Sequence, residues 1–225
     1  MKNQSYYWEI KDIVTQFVSA FNNIIVNRYD KSKNIVDKLD VRYLYAPKDR
    51  VLHDLVNKSQ HITLPAVAVT VTGVSRDEQR VFNKIYGTYT PDGTLTTQST
   101  VTNFMPSPIP VNIEVSMSMV ARYQTDMDQI LSNFIPYANP YIIISWPVPT
   151  EISSELREIR SEVLWSGDVS LEYPTELAPT DPYRVTADTS FTIKGWLFPA
   201  KTQSDSPNIF YVETNFTPIS GFDYI

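Results

Sequence analysis

MPSPIPVNIEVSMSMVARYQTDMDQILSNFIPY, residues 105–137, holds two kinds of periodicity in direct succession. Pro106, Pro108 and Pro110 fix φ and remove donors, which forces an extended entry. Val111, Ile113, Val115, Met117, Met119 and Ala121 then alternate with Asn112, Glu114, Ser116 and Ser118. One apolar and one polar row at a period of two predict a strand buried on a single face. From Met127 the period changes: Met127, Ile130, Leu131 and Phe134 stand at i, i+3, i+4 and i+7, the spacing of an amphipathic helix. Thr125 takes the N-cap position in this reading, with Asp128 three residues on as a carboxylate variant of the capping box. Asp126 and Asp128 fall in the first turn, where a negative charge meets free N–H groups and is worth about 0.3–1 kcal/mol. Carboxylates at i and i+2 point to different sides of a helix, so the pair reads as a structural cap rather than a catalytic or metal-binding pair. Pro136 and Pro140 are expected to close the element.

Toward the N-terminus, Ile10, Ile13, Val14, Phe17, Val18 and Phe21 form one helix face that ends near Asn22-Asn23. Residues 24–29, IIVNRY, read as a short strand. Residues 38–45 read as another, with Leu39, Val41, Tyr43 and Tyr45 on one face. Pro47 suits the first position of a short helix whose inner side is Val51, Leu52 and Leu55. Residues 61–74 are β-branched and read as a strand, with Pro65 marking its first half as an edge or a bulge. Pro91-Asp92-Gly93 between Thr-rich arms predicts a hairpin over 86–98.

Toward the C-terminus, the apolar run 141–149 reads as a buried strand. Residues 150–165 fit either a helix (Ile152, Leu156, Ile159, Val163) or a strand face (Ile159, Val163, Trp165). Residues 173–183 are Pro-rich and acidic, a surface loop. Residues 185–198 predict a strand with Phe191 and Ile193 buried and with a bulge or close backbone approach at Gly195. Residues 208–216 predict a last strand before a tail that is unpacked or docked on a neighbour. The order predicts an α+β single domain over 1–225: a mixed, antiparallel-rich sheet packed by an N-terminal and a central helix, with long loops. The excursions 73–103 and 147–183 are candidate assembly arms.

The chain has 225 residues, 42% hydrophobic and 20% charged, enough for a substantial core. It lacks cysteine, which removes disulfides, thiolate zinc sites and a cysteine nucleophile, and fits a reducing cytosol. Its opening residues lack the apolar stretch of a secretory signal, and no run approaches the roughly 18 apolar residues of a membrane span. No membrane partner is expected. Six glycines against 16 prolines disfavour phosphate-cradling loops. The net charge of −6 is unevenly spread: residues 1–91 carry 13 Lys/Arg and 9 Asp/Glu, residues 92–225 carry 6 and 16. Such a chain can present surfaces of opposite sign to different neighbours, or simply a scattered solvated surface. An acidic chain is poorly suited to gripping nucleic acid through phosphates.

Catalytic signatures are missing. The two histidines, His53 and His61, have no partner at zincin spacing, and nucleophile elbow, P-loop and dinucleotide fingerprint are absent. Glu155, Glu158 and Glu162 would share a helix face, but Arg157 and Arg160 interleave with them, which reads as a solvated charged segment. No cofactor or metal is expected. The 14 Tyr, 10 Phe and 4 Trp offer more. Several sit in or beside loops, including Tyr6, Tyr7 and Trp8, where they either contact partners or cap the core. Tyr86, Tyr89, Trp165, Tyr183, Trp196, Tyr211 and Tyr224 are candidate assembly contacts.

The run MPSPIP leading into a strand, followed by ARYQTDMDQILSNFIPYANP, resembles the tail sheath stabiliser and completion proteins, or tail terminators, of T-even-type contractile-tailed bacteriophages. SFTIKGWLFPA (190–200) and VRYLYAPKDRVLHDL (41–55) fit the same family in order. The resemblance implies a structural virion protein, not an enzyme: a hexameric ring closing the head-proximal end of the tail. It implies sheath, tube and neck or connector proteins as partners, DNA passing through the lumen without specific binding, and assembly in the host cytoplasm. The rival readings are another neck or baseplate adaptor and, more distantly, a glycan-active enzyme using the 155–162 glutamates. A strand edge near 61–74 or 208–216 is expected to accept a strand from the sheath.

Overall fold

The computed structural model describes residues 6–57, 64–81, 87–91, 102–150, 152, 158–174, 184–200 and 202–204. The chain divides into two compact units, residues 6–84 with 108–198, and residues 1–5 with 85–107 and 199–225. In chain order the elements are α1 (Glu9–Phe21), β1 (Ile25–Tyr29), β2 (Ile35–Asp40), β3 (Arg42–Tyr45), α2 (Lys48–Asn57) and β4 (Ala66–Arg76). A single 3₁₀ turn at Glu78–Arg80 follows, then β5 (Gly87–Pro91), β6 (Thr102–Pro106), β7 (Ile109–Ala121) and α3 (Gln124–Ala138). The last elements are β8 (Tyr141–Pro147), β9 (Glu158–Trp165), β10 (Ser170–Glu172), β11 (Val185–Leu197) and β12 (Thr202–Ser204).

The larger unit is an α+β fold around a seven-stranded sheet of order β3-β4-β7-β11-β9-β8, with β10 paired to β11. Among the described residues only the β3–β4 pair is parallel; β7 and β11 pair antiparallel over all 13 residues of each. The alternation read in the sequence sets this register: Val111, Ile113, Val115 and Met117 of β7 share one face with Phe191 and Ile193 of β11, all buried. Ile13, Phe17 and Phe21 of α1 and Met127, Ile130 and Phe134 of α3 complete that core. Its centre is aromatic. Phe17, Phe21 and Phe134 each approach Phe191 with ring centroids 5.1, 5.5 and 5.8 Å away, in tilted or edge-to-face geometry. Gly195 is a close approach, as its position in a strand suggested: a Cβ there would lie 3.2 Å from Ile13 Cδ1 and 3.3 Å from Ile113 Cδ1.

Several expectations are corrected. Residues 38–45 are two strands, not one: β2 pairs with β1 in a separate two-stranded ribbon, while β3 joins the large sheet. Alternation continues across the break at Val41, so period alone conceals the change of partner. The first half of β4 is neither edge nor bulge. Ala66–Val69 lies between β3 and β7, and Pro65 stands just ahead of the ladder, offering its carbonyl to the Arg42 N–H. The irregularity in β4 falls instead between Val71 and Gly73. The apolar run at 141–147 is a half-buried strand at the sheet edge. Ile142, Ile144 and Trp146 face the core while Tyr141 and Ile143 are exposed. Residues 158–165 form a strand, with Ser161 and Val163 inward.

Thr125 does not cap α3. The cap is Tyr123, in extended conformation with no side-chain bond to the helix, and its carbonyl accepts the N–H groups of Asp126 and Met127. The chain turns into the helix directly from β7, which sets the start two residues earlier than the capping pattern suggested. Pro136 lies inside the last turn, and the helix runs on to Ala138 before Pro140. A proline removes its own N–H from the ladder and crowds the carbonyl four residues back, and here just Tyr137 and Ala138 follow before the helix ends. The smaller unit carries a three-stranded antiparallel sheet, β12-β6-β5. The expected hairpin has β5 as its first arm, but the second arm is β6, later than the predicted 94–98. Asp92 and Gly93 of the turn, the strand at 208–216 and the tail lie outside the described residues.

Candidate assembly surfaces

The helices α1 and α3 cover one face of the large sheet; much of the other is polar and open. Register places Glu114 and Ser116 of β7, Ser190, Thr192, Lys194 and Trp196 of β11, and Arg160 and Glu162 of β9 on that open face. At one end of it sits an ion-pair knot. Asp77, only 4% exposed, accepts hydrogen bonds from Arg80 Nε at 2.7 Å, Lys194 Nζ at 3.1 Å and the Gln79 N–H at 3.1 Å. Arg80 also donates to the carbonyls of Val111 and Gly195 and lies 5.1 Å from the Trp196 ring. The knot thus pins the 3₁₀ turn to β7 and β11. The Arg80 hydrogen bond, joined by Lys194, holds the Asp77 carboxyl down at about 2. Together with Arg160 and Glu162 the knot borders a shallow groove of about 400 Å³. Farther along the same face, Lys48 reaches from α2 to Asp188 at 2.6 Å and Glu172 at 2.9 Å. Burial works to lower the Lys48 pKa, but the bonds to Asp188 and Glu172 outweigh it and raise it.

The carboxylates singled out in the sequence do not converge. Asp126 is buried at the third helical position, its Oδ2 3.7 Å from Arg28 Nη2 and without a hydrogen bond among the described residues. Asp128 is exposed beyond the first turn and borders a shallow groove with Leu131, Ser132, Ile135 and Pro136. Glu158 and Glu162 are exposed on β9, and Glu155 lies outside the described residues. His53 is exposed on α2, 3.7 Å from Asp54, while His61 lies outside the described residues. Among the described residues no three His, Asp or Glu side chains gather as a metal site would require.

The aromatic candidates divide. Trp165 is partly buried against the core: its ring packs on Phe134 at 5.9 Å and its Nε1 donates to Thr189 Oγ1 at 2.7 Å. Trp196 is half-buried on the open sheet face. Tyr89 stands on β5, and Tyr86, Tyr183, Tyr211 and Tyr224 lie outside the described residues. Sequence reasoning missed the exposed aromatic group at the start of α3, where Arg28 and Arg122 approach the ring of Tyr123 at 5.2 and 5.7 Å.

The T4-like virus Myoviridae tail sheath stabiliser family matches residues 4–220. No curated sequence matches the chain. Among solved structures, it is similar to the sheath/tube terminator of an extracellular contractile injection system, PVC, in the extended state, with 8% identity and a TM-score of 0.44. That likeness covers 99% of this chain and 66% of the terminator, so the chain spans about two thirds of its length.

Proposed function

The chain belongs to the T4-like virus Myoviridae tail sheath stabiliser family, and from that premise we propose that it forms a ring of six copies closing the head-proximal end of a contractile tail. The ring rests on the last sheath and tube subunits, offers its far side to the neck, and lets DNA pass without binding it specifically. Copies assemble on the tail in the host cytoplasm. The observation that carries this reading is the family match over 4–220, nearly the whole chain. The body suits such a position, since a sheet braced by two helices gives a stiff block whose opposite face stays free for neighbours. No catalytic step belongs to this reading.

Strand addition from the sheath requires an uncovered edge. Ala66–Val69, inside the stretch first expected to offer one, has strands on both sides. The outer edge of β8 suits the role better, since Tyr141–Trp146 carries no charge to repel an incoming strand. Purified protein added to tails lacking it, followed by cross-linking, tests the proposal. Cross-links to the sheath at the head-proximal end support it; cross-links to baseplate or neck proteins alone favour the adaptor reading.

A further inference from the structure

The ribbon of β1 and β2 is thinly covered: most of its side chains are exposed or half-buried. Val26 and Leu39 form its inward row against the core. On the opposite row Asn27, Lys38 and Asp40 are polar, but at its far end Tyr29 and Ile35 are exposed and directly opposed across the ladder. The register slips between Arg28 and Tyr29, leaving Val36 without a cross-strand partner. Val36 is 70% exposed, the most of any large apolar side chain among the described residues. A bulge bends a strand and re-aims its side chains, and a two-stranded ribbon is marginal without further packing. Tyr29, Ile35 and Val36 thus gather as an exposed apolar patch near the ribbon's tip, the kind of surface that suits a contact.

The tip of the ribbon is ordered and basic. Asp30 Oδ1 accepts the N–H groups of Ser32 and Asn34 at 2.8 and 2.9 Å, and the Asp30 carbonyl accepts the Lys33 N–H at 3.1 Å. Lys33 is held at φ +62°. Lys31 and Lys33 are exposed, with no carboxylate partner among the described residues. The complement occurs on the same chain. At β10, Leu171 and Tyr173 are exposed beside the exposed carboxylates of Asp168 and Glu172. Lys48 engages Glu172, but Asp168 has no cation partner among the described residues. The two patches are unlike and sit on different elements, the ribbon against α3 and β10 on β11.

We infer that the β1–β2 ribbon is the arm by which one copy grips the next, its lysine tip and Tyr29–Ile35–Val36 face seating on the acidic, apolar β10 segment of a second copy. A contact between unlike patches is heterologous and closes into a ring when its rotation permits. This inference rests on the ring reading above and adds its interface.

The test uses the full chain with a photo-activatable residue in place of Val36, together with sedimentation of the unlabelled protein and its variants, alone and on tails. The expected cross-link joins Val36 to residues 168–173 of a second copy. Val36→Asp, and separately Lys31→Glu with Lys33→Glu, should weaken association at least tenfold while leaving the melting temperature unchanged, because all three side chains are exposed. Asp168→Lys should restore part of the association of the charge-reversed tip. Wild-type rings with equally assembled variants, or a Val36 cross-link to the sheath protein alone, overturn the ribbon interface and leave the ring standing. A wild-type chain that stays single both in solution and on tails overturns both.

Discussion

Asp77 sits nearly out of solvent between Arg80 and Lys194, and its pKa of about 2 lies below the ordinary 3.8. With the folded value lowered, the unfolded chain takes up the proton first as pH falls. The stabilisation is therefore fully present above 3.8 and fades as pH drops through about 2. The melting-temperature gap between wild type and Asp77→Asn should accordingly be constant above about pH 5 and narrow steadily below it. A gap that widened on acidification would contradict the pairing. The α3 carboxylates separate equally cleanly. Asp126→Ala should cost up to about 2 kcal/mol, since it removes a buried charge from the first turn, whereas Asp128→Ala should fall within about 0.5 kcal/mol in urea titrations. The sequence pointed to both as helix-opening acids, but burial, which separates them, depends on Arg28 and β1 arriving from a distant part of the chain. Gly195 was readable because a glycine inside a β-rich run marks a bulge or a close backbone approach. Adding a methyl there should cost about 1–3 kcal/mol through crowding against Ile13 and Ile113.

The apolar rows of β7 and β11 were legible in both position and facing, because a row at period two leaves its mark in the sequence; the burial of Ser118 and Val120 on the opposite row of β7 was not. Phe191 anchors the apolar face, and Phe191→Ala should lose about 3–5 kcal/mol in chemical denaturation with the strand order retained. What the pattern withheld was pairing. Nothing in residues 38–45 says that the chain leaves one sheet for another at Val41, and nothing in IIISW says that only one side is covered. Those facts come from partners distant in sequence. The ribbon shows the same dependence. Gln129 of α3 accepts the Asn27 N–H at 2.9 Å and donates to the Asn27 carbonyl at 2.9 Å, standing in for a missing neighbouring strand. Gln129→Ala should leave both backbone groups without their partner and speed amide exchange at Asn27 by about tenfold or more, the equivalent of one lost hydrogen bond. Unchanged exchange would mean the brace is incidental.

Across the chain, the charge contrast between residues 1–91 and 92–225 is partly drawn together by pairing across the two segments. Lys48 meets Asp188 and Glu172, Lys194 meets Asp77, and Arg28 faces Asp126, so part of the contrast is neutralised inside the fold. The α+β class and the contractile-tail family were both legible from the strand-and-helix block at 105–140 and the Gly-Trp strand near the end. The ribbon's exposure was not, because Ile25, Tyr29, Ile35 and Val36 read in sequence like residues of a buried strand. What the fold leaves outside is the open sheet face, the β8 edge and the ribbon, surfaces that suit a subunit made to be surrounded by others. Electron microscopy of tails carrying a gold-labelled copy of the chain puts this to the test. The account predicts label confined to the head-proximal end of the sheath; label along the sheath length or at the baseplate would contradict it.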